Sequence, residues 1–406
     1  MKISSIFIGN ELLNGQTTNV NVIHLGTELN SVGYNLSASL VVRDGIEDIS
    51  TALLSELKTN DVVIICGGLG PTVDDITRKA VAKALGMKTG YSEKVCEFLR
   101  NYMAKKNKQP KEDYFKRQSE IIEDAKIIMN RVGLAPGLHI EKDGKHIFLM
   151  PGPPREFNPM VSEDVLPFLK AKFPTPVFSE LFHIYGVSES KVEERFQDIL
   201  EEFKFISPAY CANLGHVKLT VTYDQKFLDQ KEKLNQKISA EYGSDITKNT
   251  SLIEDIAEIL IEKKWSLSTA ESCTGGWIGQ AITAYAGASA FFMGSVNTYA
   301  NEWKVNQLGV QSATLDSVGA VSEECAAEMV NGLCTKYEVD CGIAVTGIAG
   351  PGGGSDEKPV GLVYIATKTP NSVNITKRNF GGNRKEVREQ TVRYALNQLR
   401  LQLLEA

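Results

Sequence analysis

Residues 61–86 of the chain have the sequence DVVIICGGLGPTVDDITRKAVAKALG, and this stretch indicates the fold of the first third of the protein. The run 61–66 has the composition of a buried strand, and the apolar spacing of 77–86 predicts a helix. The glycine-rich turn 67–75 joins the two. A strand followed by a tight turn and a helix is typical of a βαβ unit, which implies a parallel sheet covered by helices on both faces.

The same alternation continues on either side of this stretch. Ile3–Ile8 and residues 146–150 have the composition of buried strands, and residues 19–33 have the apolar spacing of a helix. Residues 1–172 are therefore predicted to form an α/β domain with a parallel sheet.

Two further blocks follow. Pro174 and Pro176 interrupt the chain. Residues 173–248 combine two strand patterns with two polar-faced helix patterns, which predicts a small α+β domain. Residues 249–406 return to alternating strands and helices and end on an amphipathic helix over 384–404. The predicted fold class is therefore α/β, in three domains.

The composition excludes several classes of protein. The 406 residues are 42% hydrophobic and 23% charged, as in a globular protein, and no apolar run is long enough to cross a membrane. A net charge of −6 gives no electrostatic footprint for general nucleic-acid binding. The seven cysteines are odd in number and form no C-x-x-C pair, which favours reduced thiols, a cytoplasmic location and no zinc site.

Loops with unusual composition follow three predicted strands of the first block. They are 10–15, 67–75 and 151–156, and in a parallel sheet such loops meet at the carboxyl edge, where ligands bind. A glycine turn that opens a helix suits phosphate, and the paired carboxylates Asp74 and Asp75 suit Mg²⁺ held between phosphates. Alternatively, both aspartates only complement the dipole of the helix that follows.

The last block has no histidine, because all five histidines precede residue 217. A serine or cysteine nucleophile there needs a lysine, a carboxylate or the local field for activation. The run AESCTGG places Ser272 where a strand turns into a helix, with backbone N–H groups of 273–276 toward an oxyanion. Alternatively, Ser272 or Thr274 is only an N-cap, and Gly275 and Gly276 only close the packing.

Three more runs of the last block carry candidate residues. Tyr299 and Lys304 lie in one run; a desolvated lysine can act as a base, although a surface lysine behind a core tyrosine is the simpler interpretation. The glycines of 344–354 suit an anion-binding nest or, equally, a flexible loop. Arg384 begins the last predicted helix and suits bidentate binding of phosphate.

Together these four runs resemble the CinA C-terminal family, the nicotinamide-mononucleotide deamidases, over essentially all of 250–406. The resemblance implies that Ser272 is the nucleophile, with Lys304 as a base acting partly through Tyr299, and that no cofactor is needed. It also implies a phosphate contact by Arg384, with Arg388 as the alternative, one helical turn on. The further residues implied to bind substrate are Thr346, Gly347, Gly350, Gly275 and Gly276.

The first block resembles the CinA N-terminal domain, which is similar in fold to molybdopterin-binding proteins. The resemblance implies an ADP-ribose pyrophosphatase that depends on a divalent metal, Mg²⁺ or a similar ion, held by Asp74 and Asp75. Asp75 and Glu156 are the implied catalytic residues. Asn10 departs from the aspartate of related molybdopterin-type domains, which weakens a role in cofactor biosynthesis. The residues implied to bind substrate are Glu11, Gly67, Gly68, Gly70 and Thr72.

The middle block resembles the KH-type linker domain of CinA proteins, but Asn213-Leu214-Gly215-His216 is not the Gly-x-x-Gly loop of an RNA-binding module. We interpret it as a spacer in a homodimer. The predicted function is a bifunctional enzyme of pyridine-nucleotide recycling whose partners are small nucleotides, not nucleic acid or membrane. The alternatives are a molybdopterin-precursor transferase and a non-catalytic adaptor associated with competence.

Overall fold

The computed structural model describes residues 1–72, 74–107, 112–174 and 177–406, so the predicted interruption at Pro176 lies outside them. Two compact units are distinguished: residues 1–179 with 222–226, and residues 180–221 with 227–406. The predicted domain boundaries after 172 and after 248 stay predictions. Within the described ranges, no helix has both the length and the apolar character that crossing a membrane requires.

A six-stranded sheet in the order β2-β1-β3-β8-β7-β6 forms the centre of the first unit. β2, β1, β3 and β8 are parallel, whereas β7 and β6 are antiparallel. β4 and β5 form a separate antiparallel pair. The strands are β1 (Ile3–Ile8), β2 (Leu36–Val42), β3 (Val62–Cys66), β4 (Thr89–Tyr91), β5 (Glu120–Ile122), β6 (Lys126–Ile128), β7 (Gly137–Lys142) and β8 (Lys145–Met150).

Helices cover both faces of this sheet, which is why every residue of β1 and β3 is buried. The helix that follows the glycine turn ends at Gly86, whose φ of 62° suits a residue without a side chain. A π-helical turn, Val161–Val165, joins the last two helices. The helices are α1 (Asn10–Leu13), α2 (Val20–Ser31), α3 (Ile46–Leu57), α4 (Thr77–Leu85), α5 (Glu93–Lys105), α6 (Glu112–Gln118), α7 (Pro154–Met160) and α8 (Leu166–Lys172).

A three-stranded sheet in the order β10-β11-β9 is the centre of the middle block. Alternate residues of its central strand are buried, as in a sheet with one covered face. Two short 3-10 turns, Gln225–Gln230 and Gly243–Asp245, flank its second helix. The elements are β9 (Val177–Tyr185), α9 (Glu189–Glu202), β10 (Ile206–Asn213), β11 (His216–Asp224) and α10 (Lys231–Tyr242).

The last block contains a five-stranded sheet in the order β13-β12-β14-β15-β16. β13, β12 and β14 are parallel, and β15 and β16 are antiparallel. A short 3-10 turn, Ala288–Ala290, precedes β13. The elements are α11 (Leu252–Lys263), β12 (Leu267–Glu271), α12 (Trp277–Thr283), β13 (Phe292–Asn297), α13 (Asn301–Leu308), α14 (Ser312–Ser317), α15 (Glu323–Lys336), β14 (Cys341–Gly347), β15 (Leu362–Lys368), β16 (Val373–Asn379) and α16 (Arg384–Leu404).

The long helix α16 connects the last block to the middle block within the second unit. Asn383 caps its first turn in a capping box with Glu386. Farther along, Arg393 donates to the backbone carbonyl of Asn213 in the β10–β11 turn. Arg400 is almost fully buried, pairs with Asp255 at 2.6 Å and donates to the carbonyl of Ser244 at 2.7 Å. Two arginines about two turns apart on one helix therefore contact both blocks.

The α/β fold class is confirmed, with one difference in the first sheet. The prediction of a parallel sheet holds for four strands, but β7 and β6 turn back antiparallel at one edge. The last sheet is mixed in the same way. β6 has only three residues and β16 is mostly exposed, so these two edge strands lack the continuous apolar run on which the sequence prediction relied.

Candidate functional site

Ser272 lies directly after β12, at the carboxyl edge of the last sheet. Its backbone N–H donates to Val345 O at 3.1 Å, and its own carbonyl accepts from Gly275 N at 3.2 Å, so the loop is pinned on both sides. Gly275 and Gly276 have φ of 60° and 94°, which glycine adopts without strain. The Ser272 side chain is thereby held at the mouth of the loop with 8% of its surface exposed.

Lys304 on α13 reaches Ser272 directly. Its Nζ lies 3.2 Å from Ser272 Oγ, and it also donates to Thr298 O at 2.7 Å and to Tyr299 O at 3.3 Å. The residue is only 1% exposed, and this burial lowers the pKa of the ammonium from its usual 10.5. Lowering this pKa makes the neutral amine more accessible than for a lysine in water, and an amine whose nitrogen contacts a serine hydroxyl can take that proton.

The Tyr299 hydroxyl does not lie between Lys304 and Ser272, as a relay would require. Its hydroxyl accepts from Arg384 Nη2 at 3.3 Å, and only its backbone carbonyl contacts Lys304. The ring is 66% exposed. Arg384, the first residue of α16, also donates to Gly350 O at 2.7 Å. Tyr299, Arg384 and the glycine loop are thus brought together as an exposed cluster, while the proton contact of Ser272 is with Lys304.

Arg388, the alternative arginine, supports the loop of the nucleophile. Its Nη2 donates to Thr274 O at 2.6 Å, and its guanidinium lies 4.0 Å from the centre of the Trp277 ring. A Cβ on Gly275 would lie 3.6 Å from the same guanidinium nitrogen, an ordinary contact. Arg384 and Arg388 therefore lie on neighbouring turns of α16 with different partners, one at the exposed cluster and one under the loop.

Thr346 and Gly347 are engaged in packing at the end of β14. Thr346 is 1% exposed, and its hydroxyl donates to Ala320 O at 2.7 Å. A Cβ on Gly347 would lie 2.7 Å from the Val363 side chain and 2.8 Å from Leu362 O, so only glycine fits against β15. Their predicted roles as substrate contacts stay predictions, and their observed contacts are structural.

Glu271 is the main feature of this site that the sequence interpretation missed. Its fully buried carboxylate accepts from the backbone N–H groups of Gly276 (2.9 Å), Ile278 (3.1 Å) and Gly279 (2.8 Å). The amide of Gly276 is therefore not directed at an oxyanion, which corrects part of the expectation for 273–276. The amides of Cys273 and Thr274 are not among the donors to Glu271 and remain the candidates.

The rival nucleophile Cys273 is buried at 5% exposure. Burial raises the pKa of its thiol to about 12, so the thiolate needed for nucleophilic attack is scarce near neutral pH. Cys273 packs in the apolar core with residues of α11, α12 and α16. This environment agrees with its interpretation as a packing neighbour of Ser272.

A second candidate site lies at the carboxyl edge of the sheet in the first unit, in a cavity of 860 Å³. The cavity has the size of small-molecule sites in proteins. Asp44 and Arg155 also line it, although the sequence did not single them out as ligand contacts. The predicted residues that line it are Glu11, Gly67, Gly68, Gly70, Asp74, Asp75 and Glu156.

Hydrogen bonds from neighbouring threonines hold the conformation of the glycine turn at this cavity. Thr72 donates to Asp75 Oδ2 through its backbone N–H (2.9 Å) and its hydroxyl (2.5 Å), and Thr77 Oγ1 donates to Gly67 O at 2.9 Å. A Cβ on Gly68 would lie 2.2 Å from Thr77 Oγ1, so the turn requires glycine there. Arg78, which the sequence analysis passed over, is 3% exposed and donates to Leu69 O at 2.7 Å.

Glu156 also lines this cavity. Its Oε2 accepts from Asn130 Nδ2 at 2.7 Å, and a Cβ on Gly133 would overlap its carboxylate. Asn130 Oδ1 in turn accepts from Gly133 N at 2.7 Å, which fixes the wall. Across the described residues, no three histidine, cysteine, aspartate or glutamate side chains come together as metal ligands. Asp74 and Asp75 therefore do not form a complete metal site by themselves.

This architecture defines a class of protein: a molybdopterin-binding-like α/β domain followed by a second α/β domain with a serine–lysine pair. The description "Probable molybdopterin binding domain" matches residues 4–171, and "CinA C-terminal domain" matches residues 249–403. The chain belongs to the CinA family. It is 37% identical over 410 residues to a "Putative competence-damage inducible protein" of Clostridium perfringens (strain SM101), with 99% of each chain covered.

Two further relatives illustrate the extent of the match. A "CinA-like protein" of Endomicrobium trichonymphae is 38% identical over 429 residues, covering 100% of this chain and 99% of the relative. The crystal structure of the competence/damage inducible protein CihA from Agrobacterium tumefaciens is 43% identical, covers 39% of this chain and 99% of that chain, and gives a TM-score of 0.36.

Proposed function

We propose that the last block hydrolyses the carboxamide of nicotinamide mononucleotide to nicotinic acid mononucleotide and ammonia. The observation that carries the proposal is the 3.2 Å contact between Lys304 Nζ and Ser272 Oγ in a buried setting. Because burial lowers the pKa of Lys304, a larger fraction of the amine is neutral at a given pH than for a lysine in water, and this neutral form can accept the serine proton.

The chemistry proceeds in two halves. Lys304 takes the Ser272 proton as Oγ bonds to the carboxamide carbon, and the amides of Cys273 and Thr274 stabilise the oxyanion. The C–N bond then breaks, and the proton on Lys304 passes to the leaving nitrogen, which departs as ammonia. Water then attacks the acyl carbon while Lys304 takes one of its protons, the bond from the acyl carbon to Ser272 Oγ breaks, and Lys304 returns the proton to Oγ. The released carboxylic acid loses its proton to solvent.

The exposed cluster beside this pair supplies the nucleotide contacts. Arg384 presents its guanidinium at the surface between Tyr299 and Gly350, and guanidinium binds phosphate bidentately. The exposed ring of Tyr299 offers a stacking surface for a planar base. Arg388 is bonded to Thr274 O and stacked on Trp277, so Arg384 is the better choice for the phosphate.

The test is product analysis with purified protein and the mononucleotide. The wild-type chain is expected to release equal amounts of ammonia and nicotinic acid mononucleotide, and Ser272→Ala is expected to release neither while keeping its melting temperature. Cys273→Ser is the matched control and should retain most of the activity, since the thiol is held in the protonated form. Full activity of Ser272→Ala would exclude the proposed nucleophile.

A second activity is favoured by the 860 Å³ cavity of the first unit. We propose that it hydrolyses ADP-ribose to AMP and ribose 5-phosphate, with Asp75 and Glu156 as the catalytic carboxylates. Magnesium in phosphate sites is held by one or two carboxylates together with substrate phosphates. Asp74 and Asp75 are accordingly proposed to contact a metal that arrives with the substrate.

This second proposal is tested by incubating the protein with ADP-ribose and a series of divalent metals. AMP release that requires a metal supports it, and absence of release with every metal refutes it. Tight binding of a pterin dithiolene compound without turnover of ADP-ribose would favour the transferase alternative instead. A chain that turns over neither nucleotide would favour the adaptor.

A further inference from the structure

A carboxylate that the proposed chemistry does not use lies one residue before the nucleophile. Glu271 ends β12 and has no exposed surface. Burying a carboxylate is costly unless hydrogen bonds compensate it. Its partners therefore indicate what this buried charge contributes to the site.

The side chain of Glu271 fixes the turn that follows Ser272. One oxygen, Oε2, accepts from the N–H groups of Gly276 and Ile278, and Oε1 accepts from that of Gly279. Ser295 Oγ lies 3.2 Å from Oε1, and Thr269 Oγ1 lies 2.7 Å from Ser295 Oγ. Donors on both oxygens suit an ionised carboxylate, which only accepts. The loop 272–276 is thus anchored at its far end.

The backbone of the same residue fixes the other half of the pair. Glu271 O accepts from Thr298 N at 2.8 Å, and Thr298 O in turn accepts from Lys304 Nζ at 2.7 Å. Thr298 itself has no exposed surface. Glu271 therefore connects two parts of the site. Its side chain binds the turn after Ser272, and its backbone carbonyl binds Thr298, which in turn binds Lys304.

We infer that Glu271 is the positioning residue of the Ser272–Lys304 pair, setting the distance between the two reacting side chains. The inference rests on the proposed serine–lysine chemistry, but it does not depend on the identity of the amide substrate. Glu271 contacts no reacting atom, so it acts only through the turn 276–279 and through Thr298.

The test uses Glu271→Gln, which keeps the shape but places an amide NH₂ against at least one backbone N–H. Misplacement of reacting groups by about 1 Å costs on the order of 100-fold in rate, so we expect kcat to fall about 10- to 100-fold with KM nearly unchanged. Glu254→Gln is the matched control. Glu254 accepts from Thr250 N at 2.8 Å at the start of α11, without contact to the loop 272–276 in the described chain, and its kcat should match wild type.

A second measurement separates positioning from folding and from substrate choice. A fluorophosphonate labels an activated serine without any nucleotide. The rate constant for labelling Ser272, normalised to the amount of protein that can be labelled, should fall together with kcat in Glu271→Gln. An unchanged kcat and labelling rate per labelled serine would overturn the inference, as would a loss confined to KM. The wild-type chain could label rapidly and still release no ammonia, while Glu271→Gln labels slowly. That result would support the positioning role and reject the proposed substrate.

If Glu271→Gln does not accumulate as folded protein, Ser295→Ala serves in its place. It removes one hydroxyl from Oε1 and leaves the three backbone donors, so kcat should fall a few-fold, on the order of 2- to 5-fold, with KM unchanged. Unchanged kcat and labelling in this variant would overturn the inference. A wild-type chain that neither labels at Ser272 nor releases ammonia would overturn both the inference and the proposed function.

Discussion

The two candidate sites are built in opposite ways. In the last block, Ser272, Lys304 and Glu271 lie within hydrogen-bond reach of one another or of a shared neighbour, and all three are nearly or fully buried. In the first unit, the carboxylates of Asp75 and Glu156 line an 860 Å³ cavity, where Asp75 accepts from Thr72 and Glu156 accepts from Asn130.

This difference separates a preassembled site from one that a ligand has to complete. The proton donor and acceptor of the last block already touch, so its proposed chemistry requires only the substrate. The cavity of the first unit has the volume for a nucleotide, but no three ligating side chains converge among the described residues. Substitutions should therefore affect catalysis sharply in the last block and more gradually in the first unit.

The largest effect is expected from Lys304→Met. Loss of a positioned base costs about 10²- to 10⁴-fold, and we expect ammonia release to fall by about 10³-fold. Lys304→Arg should not restore it, because a guanidinium stays protonated and cannot accept the Ser272 proton. Ammonia and AMP release should be measured on the same preparations, and equal losses of both would contradict independent sites.

The pH dependence of deamidation should report Lys304. Burial disfavours the charged ammonium and lowers its pKa, so the neutral base forms at lower pH than for a lysine in water. We expect kcat/KM to rise about tenfold per pH unit on the acid side and to become constant at high pH. The pH at which it is half-maximal should lie below 10.5. A midpoint at or above 10.5 would be incompatible with a buried lysine base.

Arg384→Met should raise the KM for the mononucleotide by about 10- to 30-fold, the usual cost of a lost charged hydrogen bond, with a smaller change in kcat. Arg388→Met is the contrasting variant. Because Arg388 holds Thr274 O beside the nucleophile, its loss should appear mainly in kcat. Steady-state kinetics that show the reverse pattern would reassign the phosphate contact.

Among the substitutions that compare the two sites, Glu156→Gln in the first unit is expected to have the smallest effect. The glutamine oxygen can still accept from Asn130, so the wall of the cavity should stay intact. We expect AMP release from ADP-ribose to fall by about tenfold or less, because Asp75 remains as the second proposed carboxylate and only one hydrogen-bonding oxygen is changed. Ammonia release should be unaffected, and a parallel loss of ammonia release would mean that the two sites are coupled.

Local sequence was sufficient to predict the strands and helices with strong periodicity. Ile3–Ile8 and Arg384–Leu404 have the predicted bounds, because each is a continuous apolar or amphipathic run. Short or half-exposed strands such as β6 and β16 were missed, since their pairing comes from neighbouring strands and not from their own pattern.

The candidate sites also divide into residues that local sequence indicates and residues that only tertiary contacts reveal. The structure brings Ser272 and Lys304 together as the sequence interpretation expected, although directly and not through the Tyr299 hydroxyl. Glu271 and Asn130 were passed over because acidic and amide residues are usually exposed, and only tertiary structure buries them. A glutamate directly before the candidate nucleophile, at the end of a short predicted strand, was the available signal.

Helix α16 carries Arg384, Arg388, Arg393 and Arg400, and each of these arginines reaches a different backbone carbonyl. A residue inserted into an α-helix turns everything beyond it by about 100° and advances it by about 1.5 Å. One insertion between Arg388 and Arg393 would leave the contacts of the serine loop in place while rotating the middle-block contacts away. The number of residues between these arginines must therefore stay fixed if one helix is to contact both blocks.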